Sequence, residues 1–352
     1  MTVDIHTHFI PPEFLIDARE GRALDQISLR RQDETDWLVH PQGYRYPLAP
    51  AFWDVEAKLR HMDRLGINVS VLSLTPTLFF YWIEGDAAED FCRLANDSVA
   101  RLAAHSDGRL YGMAVVPMQR PEAAVAELRR AVTELHLRGV MIGTTIGDVP
   151  LDDERFTPFF TAAEELGTPV MLHPYYVGLG APKPGEGGPR PQLGDFYMVN
   201  LTGNPMETCF AATRLILSGF FDRHPALEIV LVHAGGLLPY QVGRLDHGFR
   251  VRPETSARIA MPPSTYLRRF SYDTITHASL PLKFLIDLAG FDRVMLGTDI
   301  PFDMADERFA TYLEEVDLEA PILEAVTGGN AVSLYRLDEE IRRPGPFGPG
   351  TA

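Results

Sequence analysis

Eight short apolar runs, separated by longer amphipathic segments, constrain the fold of this chain more than any other feature. They are rich in Val, Ile, Leu or Met, which is typical of parallel strands buried on both faces. The predicted strands are residues 3–8, 69–75, 110–117, 139–145, 168–173, 227–233, 270–276 and 293–299. Eight strands that alternate with helices favour an α/β fold of the (β/α)8 TIM-type barrel over an open, doubly wound sheet.

Three stretches exceed a minimal barrel. Residues 9–52 form an insertion after strand 1, and a small hairpin is predicted there because 37–39 and 44–46 flank Pro41-Gln42-Gly43. Residues 175–203 are rich in glycine and predict a long lid loop after strand 5. Residues 344–352 predict a flexible tail. We therefore expect a single barrel domain over residues 1–343.

The composition excludes several classes of protein. The formal net charge is −16 with no basic stretch to offset it, which argues against nucleic-acid and anionic-membrane partners. No apolar run approaches the roughly 18 residues of a membrane span, and the first residues do not resemble a secretory signal. The two cysteines, Cys92 and Cys209, do not form a CxxC motif, which favours two reduced thiols. These features predict a cytoplasmic protein.

Four predicted strands end on residues that commonly bind metals. His6 and His8 are two apart on strand 1, so their side chains share one face; alone, this pair could be polar strand-end residues. Strands 5, 6 and 8 end on His173, His233 and Asp299. In a barrel these ends converge on one mouth, where active sites are built. Their coincidence predicts a metal centre.

We assign His6, His8, His173 and Asp299 as ligands of one divalent ion. Three imidazoles and a carboxylate suit zinc, and manganese or iron(II) would also fit. His233 would serve as general acid or base, since a histidine side chain ordinarily titrates near neutral pH; the alternative is a fifth ligand. Asp299 could instead cap the following loop.

The sequence favours one metal ion over two. A two-metal site normally has a bridging carboxylate or carboxylated lysine on a central strand, and the fourth strand has neither. The chain contains three lysines, at positions 58, 183 and 283, and none ends a strand. This scarcity also argues against Schiff-base chemistry and a phosphate-binding loop.

Two features are left open by the residues alone. Asp4 has the parity of the two histidines and is either a partner of the ligands or a solitary buried acid. Arg45 and the cluster of Arg244, Arg250 and Arg252 are either surface residues or forks for a substrate carboxylate.

Several motifs resemble the aminocarboxymuconate-semialdehyde decarboxylase family, in the decarboxylating branch of the amidohydrolase superfamily. The resemblance spans nearly the whole chain. It rests on Asp4-Ile5-His6-Thr7-His8, Gly139-Val140-Met141-Ile142-Gly143-Thr144, His173-Pro174, the block from His233-Ala234-Gly235-Gly236 to Arg252-Pro253, and Leu296-Gly297-Thr298-Asp299.

The resemblance implies a zinc site on the four ligands and an acid/base role for His233. It implies that Arg45 and Arg252 bind the substrate carboxylate, with Arg252 lent by a neighbouring subunit of a homodimer. It also implies loss of CO2 without an organic cofactor. Phe302 matches the family and is a substrate-binding candidate, whereas Asn200, Ile300 and Asp303 depart from the pattern.

Four functions are compatible with these residues. The first is a metal-dependent, non-oxidative decarboxylase of a small carboxylated, unsaturated or aromatic substrate. The second is a hydrolase of an amide, ester or lactone, because the same ligands could activate water. A third is a cyclising or hydrating enzyme. A non-catalytic binding module would have lost a ligand or His233, and this chain retains all five residues.

Overall fold

The computed structural model describes residues 1–41, 44–175, 193 and 195–337. Its strands, in chain order, are β1 (Val3–Phe9), β2 (Ser28–Gln32), β3 (Thr35–Val39), β4 (Arg45–Pro47), β5 (Val69–Leu74), β6 (Leu110–Ala114), β7 (Gly139–Gly143), β8 (Thr145–Ile146), β9 (Val149–Pro150), β10 (Val170–His173), β11 (Ile229–Leu231), β12 (Phe270–Asp273) and β13 (Val294–Met295). Its helices are α1 (Pro12–Arg19), α2 (Val55–Leu65), α3 (Asp86–Ala104), α4 (Pro121–Thr133), α5 (Thr157–Leu166), α6 (Asn204–Leu217), α7 (Phe220–Arg223), α8 (Leu238–Val251), α9 (Pro253–Ser256), α10 (Ser279–Ala289), α11 (Phe309–Val316), α12 (Ala320–Glu324) and α13 (Asn330–Tyr335).

Eight of these strands form one parallel sheet in the order β1-β5-β6-β7-β10-β11-β12-β13. The sheet closes because the backbone after β13 bonds to β1: Ile5 donates to the Leu296 carbonyl at 2.9 Å and Asp299 to the His6 carbonyl at 2.7 Å. The predicted (β/α)8 barrel is confirmed, and each predicted strand is present.

The eighth barrel strand is much shorter than predicted. It ends at Met295, and the backbone that follows bonds partly to β1, as described above, and partly to side chains. Gly297 N–H donates to Thr274 Oγ1 at 3.2 Å, and Thr298 N–H donates to Asp4 Oδ1 at 3.1 Å. These bonds direct the segment that carries Asp299 across the barrel mouth.

Proline and glycine in the sequence mark where two of the helices begin and end. Pro121 begins α4, whose buried residues Ala124, Leu128 and Ala131 lie on one face against the barrel. Gly167 follows α5 with a φ of 59°, the left-handed conformation that ends many helices. The barrel core therefore lies between buried strands and one apolar stripe of each surrounding helix.

The insertion after β1 contains a three-stranded antiparallel sheet. Strands β3 and β4 pair where the hairpin is predicted, with Val39 opposite Arg45; residues 42–43 of its turn lie outside the described residues. Strand β2 was missed because its polar residues are largely exposed. Tyr46 on β4 reaches Thr77 at the barrel mouth, with 3.2 Å between the hydroxyl oxygens. The insertion thus lines one side of that mouth.

Parts of two predicted segments lie outside the described residues. In the loop after β10 these are residues 176–192 and 194; its described end, Val199–Gly203, is a π-helical turn that leads into α6. The predicted tail, 344–352, also lies outside, so the domain limit at residue 343 stays a prediction. Within the described ranges, every helix is too short or too polar to cross a membrane.

One buried amide joins three elements, and this generates a stability prediction. Asn96 on α3 donates to the Val115 carbonyl at 2.9 Å and to Glu127 Oε1 at 2.7 Å, and it accepts from Val115 N–H at 2.9 Å. Asn96→Ala leaves these buried groups unpaired, so we expect the free energy of unfolding to fall by about 3 kcal/mol in urea titrations. Asp90→Ala, exposed on the same helix, should change it by less than about 0.5 kcal/mol. Equal losses would contradict this account.

Candidate metal centre

Four predicted ligands meet at the carboxyl ends of the barrel strands. His6 and His8 project from β1, His173 ends β10, and Asp299 follows β13. All four are buried, and one ligand atom from each lies within 4.8 Å of all the others. Convergence of strand ends has therefore brought together residues far apart in sequence.

The inner atoms of this group lie close together, and two of them lack an aligned hydrogen bond to any described residue. His8 Nε2 lies 3.1 Å from His6 Nε2 and 2.9 Å from Asp299 Oδ1. His173 Nε2 and Asp299 Oδ1 are nevertheless buried without an aligned hydrogen bond. An unsatisfied buried polar group costs about 1–3 kcal/mol, and a divalent ion would satisfy both. Three imidazole nitrogens and one carboxylate oxygen fit such an ion.

The outer nitrogen of each ligand histidine is held by the protein. His6 Nδ1 lies 2.7 Å from Asp273 Oδ2, and His173 Nδ1 lies 2.6 Å from the Pro174 carbonyl oxygen. His8 Nδ1 lies 3.2 Å from Ser73 Oγ. Such outer partners orient an imidazole and leave Nε2 free to bind a metal.

The electrostatics favour the ligand forms of three residues. Burial, with the nearby histidines, lowers the pKa of His173 well below its ordinary value, and burial lowers the pKa of His8 to about 4. Burial raises the pKa of Asp299, but contacts with His233 and His8 outweigh it and hold that pKa well below the usual range. Near neutral pH, His8 and His173 are therefore neutral imidazoles and Asp299 is an ionised carboxylate, whereas the neighbouring carboxylates raise the pKa of His6.

Asp4 is a partner of the ligand segments and not a solitary acid. Its Oδ1 accepts from His6 N–H at 3.0 Å, and its Oδ2 accepts from Thr298 Oγ1 at 2.7 Å. Burial raises the pKa of Asp4 to about 6, against these hydrogen bonds. Asp4 thus ties β1 to the segment that carries Asp299.

A buried lysine also links β1 to the segment that carries Asp299. Lys58 Nζ on α2 donates to Thr7 Oγ1 and to the His8 carbonyl, both at 2.9 Å, and more weakly to the Ile300 carbonyl at 3.4 Å. Burial lowers its pKa to about 7. The sequence analysis missed this role because Lys58 lies on a helix, 50 residues from His8.

His233 lies beside the ligand group. Its Nε2 is 3.9 Å from Asp299 Oδ2, and it does not belong to the four-residue group. Its backbone has a φ of 53°, in the left-handed region that histidine adopts infrequently. His233 is thus close to the ligand group without being part of it.

A pocket of about 270 Å³ opens onto these residues. Arg45 and Phe302 line it together with His233. The Arg45 guanidinium lies 5.2 Å from the Trp37 ring centroid, and the Phe302 and His8 ring centroids are 5.1 Å apart. Arg252 is not among its described lining residues; its side chain is 65% exposed and pairs with Glu254.

Three polar residues that the sequence analysis missed line the same pocket as Arg45. Tyr197 donates from its hydroxyl to Asp303 Oδ1 at 3.4 Å, and Tyr44 lies beside it. Burial raises the pKa of Tyr44 well above its ordinary value and that of Tyr197 to about 12, so both are neutral phenols. The pocket lining therefore includes a cationic side chain and several hydrogen-bonding side chains.

A second, largely apolar cavity of about 760 Å³ is also lined by His233 and Asp299. Its walls include Tyr240 and Leu280, which are 83% and 80% exposed. His233 and Asp299 line both cavities, so they stand where the two meet.

Comparison with known proteins agrees with this architecture. The model of the amidohydrolase family matches residues 3–337. The chain belongs to the amidohydrolase family. It is 33% identical over 343 residues to a 2-amino-3-carboxymuconate-6-semialdehyde decarboxylase of Dictyostelium discoideum, covering 96% of this chain and 92% of that protein.

Solved structures share the fold of this amidohydrolase. The apo form of IDCase from Metarhizium anisopliae superposes with a TM-score of 0.81 at 28% identity, covering 96% of this chain and 97% of that one. A dihydroxybenzoic acid decarboxylase from Polaromonas sp. JS666, with bound manganese and the inhibitor 2-nitroresorcinol, has a TM-score of 0.70 at 25% identity, covering 96% and 97%.

Asp273 is the nearest buried carboxylate that the sequence analysis overlooked. It ends β12, the barrel strand with the least apolar sequence, and it is fully buried against His6. The predicted strand, residues 270–276, extends three residues past Asp273, so the sequence did not place this aspartate at a strand end.

The site predicts a metal content that elemental analysis can measure. We expect about one divalent ion per chain of this amidohydrolase, lost in His173→Ala because one of four ligands is removed. His247→Ala removes an exposed histidine and should retain the ion. Two ions per chain, or equal retention in both variants, would contradict this assignment.

Proposed function

We propose that this amidohydrolase is a metal-dependent, non-oxidative decarboxylase of a small carboxylated aromatic or unsaturated substrate. The observation that carries the proposal is a single four-residue metal group beside a small pocket with Arg45 on its wall. The relatives reported above support it, since one is named for a carboxymuconate semialdehyde and another for dihydroxybenzoic acid.

The fourth barrel strand supports one ion over two. It ends at Gly143, where a bridging side chain of a two-metal site would stand. A Cβ added at Gly143 would lie 2.5 Å from Tyr175 Cε1, so the Tyr175 ring fills that space. A lysine or acid at this position would displace Tyr175, whose hydroxyl accepts from Gly147 N–H at 3.0 Å.

The donor set suits zinc, which we take as the resident ion, with manganese as the second choice because a related structure contains it. When bound, the ion supplies Lewis-acid polarisation of a coordinated substrate oxygen. His6, His8, His173 and Asp299 would hold it. No organic cofactor is needed, because decarboxylation of such a substrate is not an oxidation.

Substrate binding would use the charged, aromatic and polar side chains that line the pocket. The Arg45 guanidinium would bind a carboxylate, which its planar fork matches. Phe302 would cover one face of the substrate and exclude water beside His8. Asp303 and its tyrosine partners would accept from or donate to a hydroxyl or amino group on the substrate.

His233 would handle the proton. As the carbon–carbon bond breaks, its electron pair stays on the ring or alkene carbon and CO2 leaves. A proton on His233 Nε2 would then pass to that carbon and form a carbon–hydrogen bond. General acid catalysis of this kind contributes about 10²–10⁴-fold to rate.

The proposal is tested by turnover with hydroxy- and amino-arenecarboxylates and unsaturated dicarboxylates. We expect CO2 release under air without added cofactor, and His233→Asn should lower kcat by about 100-fold or more while its metal content stays unchanged. Infrared detection of CO2 and elemental analysis measure the two effects. His247→Asn serves as the exposed histidine control.

Other outcomes would reject this function. A hydrolase would cleave an amide, ester or lactone while the product keeps its carboxylate, and a cyclising or hydrating enzyme would convert substrate without CO2. Metal loss in His233→Asn would instead make His233 a ligand.

We also propose a homodimer in which Arg252 reaches the neighbouring site. The exposed apolar residues Tyr240 and Leu280 support a protein interface on the face of α8 and α10, because such patches are unfavourable in water. Arg252 follows α8 and points its charge to solvent in the single chain. Cytoplasmic location and the absence of nucleic-acid or membrane partners stay predictions of the sequence.

Complementation between inactive variants tests the shared site. Arg252→Ala and His233→Asn should each be inactive alone, and co-expression should restore about a quarter of wild-type activity, since half the dimers are mixed and each has one intact site of two. Ultracentrifugation should give a dimer that Leu280→Glu weakens. A monomer, or mixed variants as inactive as the parents, would contradict the proposal.

A further inference from the structure

One fully buried carboxylate contacts both halves of the site. Asp273 Oδ2 lies 2.7 Å from His6 Nδ1 and accepts from His233 N–H at 2.9 Å. Its Oδ1 accepts from Ala234 N–H at 2.7 Å and from Ile275 N–H at 3.1 Å. A carboxylate offers about four lone-pair sites, so these four donors saturate it.

The contact with His6 sets which ring nitrogen carries the proton. A carboxylate oxygen accepts hydrogen bonds, and Asp273 Oδ2 already accepts one from His233 N–H, so the contact assigns the proton to His6 Nδ1. His6 Nε2 then keeps its lone pair, and this is the atom that lies 3.1 Å from His8 Nε2 in the ligand group. Asp273 therefore holds His6 in the tautomer that binds a metal.

The contacts with His233 and Ala234 hold an unfavourable backbone. These residues have φ values of 53° and 55°, two successive left-handed residues that are not glycine. The N–H groups of these two residues donate hydrogen bonds to the Asp273 carboxylate. The same carboxylate thus fixes the turn from which His233 reaches to within 3.9 Å of Asp299.

The eighth strand leaves room for this arrangement. A Cβ added at Gly297 would lie 2.8 Å from Asp273 Cβ and 2.9 Å from His6 Cβ. Real side chains do not approach so closely, so Gly297→Ala would force Asp273 and His6 apart. This steric requirement for glycine does not depend on the hydrogen bonds, and it also indicates that Asp273 and His6 must pack closely.

We propose that Asp273 is a positioning residue that couples the metal ligand His6 to the acid/base His233, with Gly297 providing the space for their contact. The part that concerns His233 rests on the proposed decarboxylase function. The part that concerns His6 rests on the metal group alone.

The test compares Asp273→Asn with Asp306→Asn, another buried acid that contacts neither histidine in the described structure. An amide at position 273 would place its NH2 group next to His6 Nδ1 or next to the backbone N–H groups. Either the His6 tautomer or the turn at His233 would therefore be lost.

We expect the zinc dissociation constant of Asp273→Asn, measured by competition with a chromophoric chelator, to rise about tenfold or more. At saturating zinc kcat should fall while KM changes little, because Arg45 is untouched. Asp306→Asn should match wild type in both.

Two further measurements keep the proposal decidable if Asp273→Asn does not fold. Gly297→Ala should weaken zinc binding in the same direction with every polar group retained. In wild-type apoprotein labelled with 15N-histidine, and assigned against His6→Gln, the His6 ring should be protonated at Nδ1.

The proposal would be overturned by unchanged zinc affinity in Asp273→Asn, by a His6 ring protonated at Nε2 alone, or by unchanged kcat at saturating zinc. Failure of the decarboxylase function is a separate result. It would appear as wild type without CO2 release, while zinc affinity and the ring tautomer can still be measured.

Discussion

The site depends on how buried carboxylates at the barrel mouth are satisfied. Asp4 and Asp273 are fully buried, and each accepts one hydrogen bond from His6, through its backbone and its ring respectively. A buried carboxylate without hydrogen-bond partners would cost much free energy, so the structure tolerates Asp4 and Asp273 only while these hydrogen bonds are kept. The same bonds that make the buried acids tolerable therefore fix the imidazole of His6 and the segment that carries Asp299.

The proposed carboxylated substrate is an anion, and the protein that would bind it is acidic. The net charge of −16 repels anions at long range, but exposed charges are screened beyond about 8 Å at physiological salt. Within the pocket, the guanidinium of Arg45 would lie close to a bound carboxylate, so their attraction would be screened less than that of distant surface charges. His233 stands where this pocket meets the apolar cavity, so covering that cavity with a second subunit would also remove water from the reacting carbon.

Much of the fold and four ligands could be predicted because their signals are local. Apolar runs mark buried strands, and a histidine or aspartate at the end of such a run faces the barrel mouth. The supporting residues lacked such a signal. Lys58 lies on a helix, Tyr197 lies in a loop region, and Asp273 ends a strand with a mixed sequence. Their roles rest on contacts across many intervening residues, which no local pattern contains.

The sequence by itself determined the alternation of strands and helices, the residue types at the strand ends and the shared face of His6 and His8, because periodicity along a chain is a local property. Only the tertiary structure decided that Asp273 would reach both His6 and His233, and that Gly143 and Gly297 would leave room for Tyr175 and for the His6–Asp273 contact. Those outcomes depend on interstrand distances of a few ångströms, and closure of the barrel sets these distances.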